Sequence, residues 1–120
     1  MKYISIDGDD VGRKITSCYL NNDEDKLYNI SRELEDSTFK VASLLESRGF
    51  DLIFRAADGV VARIDGDCDF KDLFLVISSC SKNGITFSAG VGTSLREAYI
   101  ALLNSKSNGK NQLSHFSTLK

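Results

Sequence analysis

The stretch YISIDGDDVG, residues 3–12, restricts the fold of this chain more than any other part of it. Its first half is apolar and rich in β-favouring residues, which predicts a short buried strand. That strand ends at three carboxylates, Asp7, Asp9 and Asp10. Like charges at one strand end repel one another unless a cation lies between them or water screens them. The stretch therefore predicts either a cation site or a solvated acidic turn, and by itself it does not choose between them.

The composition is that of an ordinary globular domain. The 120 residues are 42% hydrophobic and 27% charged, which predicts one domain over residues 1–120. The formal net charge of −2 gives no reason to expect binding to duplex nucleic acid. The widely spaced Cys18, Cys68 and Cys80 predict free thiols in a reducing compartment. No leader pattern and no apolar run of membrane-spanning length occurs, so we expect a cytoplasmic protein without membrane insertion.

The order of predicted elements indicates the fold class. Helical periodicity follows residue 12 and continues after Asp23 as a long helix that ends near Gly49. Two apolar runs, residues 50–56 and 60–64, flank Asp58-Gly59 and predict a β-hairpin. A helix, a strand and a last helix follow, and the tail either adds an edge strand or frays. This order predicts an α+β ferredoxin-like palm domain with an antiparallel-type sheet, the first strand beside a central β-hairpin, and helices on one face.

The predicted sheet brings two distant carboxylates together. If the first strand lies beside the hairpin, Asp7 and Asp58 face one site. Two carboxylates can hold Mg²⁺ or Mn²⁺ while water and substrate phosphates complete the coordination, and such sites catalyse phosphoryl or nucleotidyl transfer. The alternative is that Asp58 only forms the turn.

Two lysines near the end of the last helix form the third element of the pattern. Lys106 and Lys110 flank the helix stop at Gly109. They predict either cations that hold the outer phosphates of a nucleotide or, more simply, lysines that complement the helix dipole. No complete glycine-rich phosphate loop is present in the sequence.

Three blocks together resemble a known superfamily. YISIDGDD resembles the first metal motif of GGDEF-type nucleotide cyclases, FRAADGVV resembles their R-Y-G-G-D-E-F hairpin, and FSAGVG with K-S-N-G-K-N resembles their last strand and phosphate-binding segment. The short chain and its DGDD-V-G opening are most similar to the minimal CRISPR polymerase family, over roughly Tyr3 to Asn111. The resemblance implies a palm-fold nucleotidyltransferase.

The resemblance also implies roles for individual residues. Asp7, Asp58 and the carbonyl of Gly8 match the metal ligands, and Asp9 or Asp10 is left to supply a third carboxylate. The turn formed by Asp10, Val11 and Gly12 matches the one whose N–H groups meet the triphosphate, and Lys106 and Lys110 match the phosphate-binding cations. Asp7 and Asp58 are therefore the predicted catalytic pair, with Asp9 among the candidate metal ligands.

Departures from the cyclase pattern affect the expected substrate. Ala56 and Ala57 replace hairpin glycines, and Gly59 replaces the second hairpin acid. Ile15 stands where guanine-specific cyclases carry a base-reading Asn, so ATP is the expected substrate. The resemblance then implies a cyclic di- or oligoadenylate, made by a homodimer with facing sites and read by a separate effector in anti-phage defence.

Two alternatives remain open from the sequence. A receiver-type phosphoacceptor domain would also carry acids after its first strand, a central Asp such as Asp58, and a later Lys. It would, however, need a strand where residues 27–45 show helical periodicity. The other alternative keeps the palm fold as a catalytically inactive nucleotide sensor, because the AAD-G hairpin departs from the cyclase motif.

Overall fold

The computed structural model describes residues 1–81 and 84–119. Their elements, in chain order, are β1 (Lys2–Gly8), α1 (Val11–Leu20), α2 (Glu24–Ser47), β2 (Asp51–Ala56), β3 (Gly59–Ile64), α3 (Phe70–Ser78), β4 (Phe87–Gly92), α4 (Leu95–Ser107) and β5 (Leu113–His115), followed by a 3₁₀ turn at Phe116–Thr118.

The five strands form one mixed sheet in the order β2-β3-β1-β4-β5. Strand β1 lies at the centre and pairs antiparallel with both β3 and β4, while the short β5 pairs parallel with β4. The predicted α+β palm class, with β1 beside the β2–β3 hairpin, is confirmed. The receiver alternative is wrong, because receiver domains have a parallel sheet.

The hairpin between β2 and β3 ends in a tight two-residue turn. Ala56 pairs with Gly59, which leaves Ala57 and Asp58 as the central residues. Ala57 has a φ of 50°, in the left-handed region that glycine normally occupies at this turn position. The chain therefore accepts local strain at the residue before Asp58.

The helices lie on both faces of the sheet, so the prediction of helices on one face needs correction. Ile4 and Ile6 of β1 pack in one core with residues of two helices. These are Val41 and Leu45 of α2 and Leu73 and Ile77 of α3. On the opposite face, a Cβ at Gly90 would overlap the backbone of α4 at Leu102. Side chains of a strand alternate between faces. The residues of β4 that face α4 are small, so the helix packs close to this strand.

Local sequence explains where the helices begin. Asp23 and Asp69 each accept a hydrogen bond from a backbone N–H in the first turn of α2 and α3, and Ser94 does the same for α4. Each of these caps satisfies an N–H that would otherwise have no intrahelical partner. Helix α2 ends just before Gly49, whose φ of 89° suits a helix stop.

The tail joins the sheet instead of fraying. Leu113 lies in register with Ala89, and the Gln112 carbonyl accepts a hydrogen bond from the Ala89 N–H at 2.9 Å. Within residues 1–81 and 84–119, no helix has both the length and the apolar character needed to span a membrane.

Candidate active site

The two predicted catalytic carboxylates meet at one end of the sheet. Asp7 is paired with Gly59 across β1 and β3, which places it beside the hairpin turn that carries Asp58. The backbone N–H of Gly8 donates to the carbonyl of Asp58 at 3.0 Å and ties the turn to the end of β1. The structure therefore brings Asp7 and Asp58 into one site, as the topology required.

Gly8 is needed for this close approach. A Cβ at position 8 would lie 2.9 Å from Cγ2 of Val11 and 3.4 Å from Cβ of Asp58. The first distance is shorter than real Cβ contacts, so a larger residue at position 8 would require the Val11 side chain to shift. The bare backbone at Gly8 also leaves its carbonyl open to the site.

The positive charge near the Asp7 carboxylate is too small to offset its burial and the neighbouring Asp58 carboxylate. Burial, followed by the neighbouring charge of Asp58, raises the pKa of Asp7 from 3.8 to about 6, although Lys106 acts in the opposite direction. A raised pKa at a pair of close acids is typical of functional carboxylates, since both cannot ionise cheaply. A bound cation would relieve this repulsion.

Lys106 provides a cation at this position in the protein alone. Its ammonium group lies 3.2 Å from Oδ2 of Asp7 and 3.3 Å from Oδ1 of Asp9, and it donates to the carbonyl of Gly8 at 2.9 Å. The three N–H donors of a lysine are thereby used on three acceptors. Two of these acceptors, Asp7 and the Gly8 carbonyl, are the predicted metal ligands.

Asp9 has a different role from Asp7, although both belong to the same acidic stretch. Its side chain is only 3% exposed, and its oxygens accept hydrogen bonds from Thr86, Ser88 and the backbone N–H of Asn111 at 2.6–3.0 Å, in addition to the Lys106 contact. Burial acts to raise the pKa of Asp9, but these hydrogen bonds outweigh it and hold the pKa below its usual range.

The expectation that Asp9 would bind a metal therefore has no support in the geometry. Each carboxylate oxygen has two lone pairs, and each oxygen of Asp9 already has two donors. Asp9 instead joins the end of β1 to β4 and to the segment after α4.

The start of α1 forms the second half of the site. Asp10 is the N-cap residue at a φ of 59°, and its side chain does not cap the helix. Its carboxylate instead pairs with Lys110 and with Arg13, and the hydrogen bond from Lys110 is the main reason that its pKa lies below the usual range. The N–H groups of the first turn, at Val11 and Gly12, are thus left without a side-chain cap, and a helix N-terminus attracts anions.

The segment that carries Lys110 has a strained backbone conformation. Lys110 and Asn111 have φ values of 64° and 50°, directly after Gly109 at 111°. This conformation turns the Asn111 N–H toward Asp9 and Ser88, and it places the Lys110 side chain against Asp10. Strain of this kind is maintained only where the surroundings over-determine it, and it clusters at functional sites.

The donor set suits a hard divalent cation that binds together with a substrate. Asp7, Asp58 and the Gly8 carbonyl would supply oxygen ligands, and Lys106 already places positive charge next to two of them. Among the described residues no three acidic, His or Cys side chains surround one point. A Mg²⁺ ion at this site would therefore take further ligands from water and phosphate, as Mg²⁺ commonly does.

The chain resembles known proteins in both sequence and fold. The family model described as the minimal CRISPR polymerase domain matches residues 3–116, nearly the whole chain. The chain belongs to this family. A search of the curated proteins found no match. The predicted family is therefore confirmed, and the family and the fold together suggest a nucleotidyltransferase-type polymerase.

Two solved structures show the same fold. An EAL/GGDEF domain protein from M. capsulatus is 18% identical and superposes with a TM-score of 0.70, over 96% of this chain and 83% of that one. The GGDEF domain of DgcB from Caulobacter crescentus, solved in complex with c-di-GMP, is 12% identical with a TM-score of 0.65, over 98% of this chain and 78% of that one. At these identities the likeness concerns the fold of this minimal CRISPR polymerase domain and not its substrate.

Three residues that the sequence did not assign to this site belong to it. Thr86 and Ser88 hold Asp9, and Arg13 pairs with Asp10 at 3.2 Å. A signal for Ser88 was present, because a polar residue inside a buried strand needs a partner, and Ser88 is fully buried. Nothing in the sequence distinguished Arg13 from Lys14, the other cation of α1.

Proposed function

We propose that this chain is a metal-dependent nucleotidyltransferase that joins ATP into a cyclic di- or oligoadenylate. The observation that carries the proposal is the convergence of an acidic pair, Asp7 and Asp58, with two lysines and the uncapped start of α1. Nucleotidyl transfer needs both halves: carboxylates for a cation, and donors for a triphosphate. Family membership and fold support the same class of reaction.

The residues divide the work of the proposed reaction between them. Asp7, Asp58 and the Gly8 carbonyl would hold Mg²⁺ or Mn²⁺, and the N–H groups of Val11 and Gly12 would receive the phosphates. A divalent ion at this position supplies positive charge to the transferred phosphoryl group and makes an attacking ribose hydroxyl more acidic.

The cations near the start of α1 complete the phosphate site. Lys110 and Arg13 flank Asp10, and we assign Lys106, which contacts the carboxylates in the free protein, to the outer phosphates. With the phosphates bound, these side chains neutralise charge that would otherwise repel Asp7 and Asp58. Asp9 takes no direct part and fixes the two segments that carry the other residues.

Adenine is the base we propose, on the basis of Ile15. This side chain packs, partly buried, against the apolar cluster between α1 and α2. It offers no polar group to a guanine edge, and polar contacts of this kind supply most of the discrimination between bases. Mixed use of bases would appear directly in the product analysis below.

The proposal is tested by product identification. Purified protein is incubated with each NTP and Mg²⁺ or Mn²⁺, and the products are identified by mass spectrometry. We expect a cyclic oligoadenylate from ATP, and no product from the Asp58→Ala variant. The matched control is Asp51→Ala, which removes an exposed acid at the other end of the same hairpin and should keep full activity.

Two results would contradict the assignment. Unchanged turnover by Asp58→Ala would remove the acidic pair from the mechanism. Tight ATP binding with intact ATP after long incubation would favour the nucleotide sensor, for which the strained AAD-G turn is the motivating observation.

The biological setting is proposed on family membership alone. We propose that the product is a second messenger, read by a separate effector protein in anti-phage defence, and that the enzyme works as a homodimer in the cytoplasm. The first test is whether cells that express the chain accumulate the product upon phage infection. No accumulation in cells that hold active enzyme would contradict this setting.

A further inference from the structure

A cavity of about 420 Å³ lies between α1 and α2. Its floor is apolar and consists of Ile30 of α2 and Ile85, which lies two residues before β4. Four polar residues line its walls: Lys14, Lys26, Asn29 and Glu33. An apolar base with a few polar groups, at this volume, is typical of a small-molecule site. The proposed reaction gives none of these residues a role.

This cavity, which we call the α1–α2 cavity, is separate from the site of the proposed reaction. An α-helix has about 3.6 residues per turn, so residues three and four positions after the buried Val11 lie on opposite sides of it. These residues are Lys14, which lines the cavity, and Ile15, which the proposed reaction places near the base of its substrate. The cavity and the proposed base position therefore lie on different flanks of α1.

Two lysines give the α1–α2 cavity positive charge that the protein does not neutralise. Lys14 is half-buried and Lys26 is exposed. Within residues 1–81 and 84–119, neither ammonium group forms an ion pair with a carboxylate. Lys14 also lies in the first turn of α1, which contains no acidic residue and where the helix dipole adds to the positive potential. The cavity therefore favours an anionic ligand.

The opposite wall carries groups that suit the edge of a base. Glu33 is half-buried, and its carboxylate accepts a hydrogen bond from Ser81 Oγ at 3.4 Å, which leaves further acceptor capacity. Asn29 is exposed, and its amide offers both donors and an acceptor. Adenine presents an amino group next to a ring acceptor, which is the pattern that an asparagine amide recognises. A carboxylate accepts from the same amino group.

We propose that the α1–α2 cavity binds a single adenine nucleotide, as a second nucleotide site outside the active site. The phosphate of the ligand pairs with the two lysines, and its base lies on the two isoleucines, so that the amino group meets Asn29 or Glu33. Two lysines against one glutamate leave a net positive charge, which suits a phosphate monoester better than a neutral nucleoside. The inference goes beyond the proposed function and does not depend on it.

The test measures the binding of AMP, which lacks the outer phosphates of ATP. Calorimetry is carried out in EDTA, so that no divalent cation supports binding at the active site. We expect one AMP per chain, and about tenfold weaker binding by Lys14→Met and by Lys26→Met, since each loses a charge-assisted contact. The matched control is Lys71→Met on α3, which removes the same charge from an exposed position outside the cavity lining and should bind AMP as the wild type does.

Two further measurements locate the ligand. The methyl resonances of Ile30 and Ile85 should shift in NMR spectra when AMP is added, because the base lies on these side chains. Inorganic phosphate alone and adenosine alone should each bind at least about tenfold more weakly than AMP, because each fills only one part of the cavity. Lys110→Met should bind AMP normally, since Lys110 does not line the cavity.

Several results would overturn the inference. If the wild type does not bind AMP, or if Lys71→Met loses as much affinity as Lys14→Met, the cavity is not a nucleotide site. An equal loss in Lys110→Met would place AMP in the active site. Phosphate that binds as tightly as AMP would leave the base without a role, and a cyclic dinucleotide that binds more tightly than AMP would contradict a site for a single nucleotide. The proposed function is decided separately, by product formation from ATP.

Discussion

At the scale of single residues, the DGDD stretch separates into three different roles. Asp7 faces the site and carries a raised pKa, Asp9 is buried in a hydrogen-bond network, and Asp10 pairs with cations at the start of α1. Alternation along the strand end and one left-handed residue, Asp10, are enough to point three acids within four residues in different directions. Each role predicts a different response to substitution.

Asp7→Asn should stabilise the metal-free protein at neutral pH. The folded chain keeps the Asp7 proton up to a pKa of about 6, whereas the unfolded chain releases it near 3.8. The folded state therefore binds more protons in this window, and the free energy of unfolding falls as pH rises through it. Because Asp7 is partly exposed, we expect a gain of about 1 kcal/mol for Asp7→Asn at pH 7.5.

Urea denaturation at pH 4 and at pH 7.5 checks this prediction. The advantage of Asp7→Asn should disappear toward pH 4, where Asp7 is protonated in the wild type. A variant that is less stable than the wild type at pH 7.5 would show that Lys106 compensates Asp7 fully.

Lys106→Met should increase the affinity of the nucleotide-free protein for a divalent cation. Removal of the ammonium group frees Asp7 and the Gly8 carbonyl, so we expect Mn²⁺ to bind about tenfold more tightly, as measured by electron paramagnetic resonance. The same variant should bind ATP more weakly, because a phosphate-binding cation is lost. The control is Lys110→Met. Because Lys110 pairs with Asp10 and not with Asp7, this substitution should change the affinity for Mn²⁺ less. Equal effects from both lysines would mean that only net charge matters.

At the scale of elements, the turn of the β2–β3 hairpin positions Asp58 and holds the residue before it in a strained conformation. Asp58 reaches the end of β1 only because the turn is two residues long, and this turn forces Ala57 to a φ of 50°. The sequence predicts the hairpin correctly from Asp-Gly between two apolar runs. It does not predict which residue takes positive φ, because glycine follows the turn instead of lying at its centre.

Ala57→Gly should stabilise the protein by about 1 kcal/mol, since glycine adopts positive φ without the steric cost that alanine pays. The control is Ala56→Gly, at a neighbouring strand position outside the set of residues with positive φ, where glycine should destabilise by about 0.5–1 kcal/mol. Chemical denaturation of both variants measures the difference, and stabilisation of the protein by neither or by both would argue against strain at Ala57.

At the scale of the whole molecule, Asp9 connects parts of the chain that are far apart in sequence. Its carboxylate joins β1 to Thr86 and Ser88 and to the backbone of Asn111 after α4. The site thus depends on contacts between the start of the chain and segments far along it, all of which meet at one buried carboxylate. Loss of that charge affects both the fold and the phosphate-binding segment.

Asp9→Ala should lower the free energy of unfolding by about 3 kcal/mol, because buried donors are left without acceptors. The control Asp36→Ala removes an exposed acid that pairs with Lys40 at 3.5 Å and should change stability by less than about 0.5 kcal/mol. Urea denaturation measures both. Since hydrogen bonds lower the pKa of Asp9, its contribution in the wild type should be lost only as pH falls below about 4. A small effect of Asp9→Ala would contradict its assignment as the central anchor.

The sequence alone determined the local elements, the α+β palm class and the pairing of Asp7 with Asp58, because strand and helix periodicity, caps and a tight hairpin are encoded by neighbouring residues. Only the tertiary structure decided which face of the sheet α4 covers, since helical periodicity defines the apolar side of a helix but not the surface it meets. It also decided that Asp9 is an anchor and that Lys106 forms an ion pair with Asp7. The residues that donate hydrogen bonds to Asp9 lie 77 to 102 positions away from it in the sequence. No local sequence pattern indicates which distant residues will become its donors.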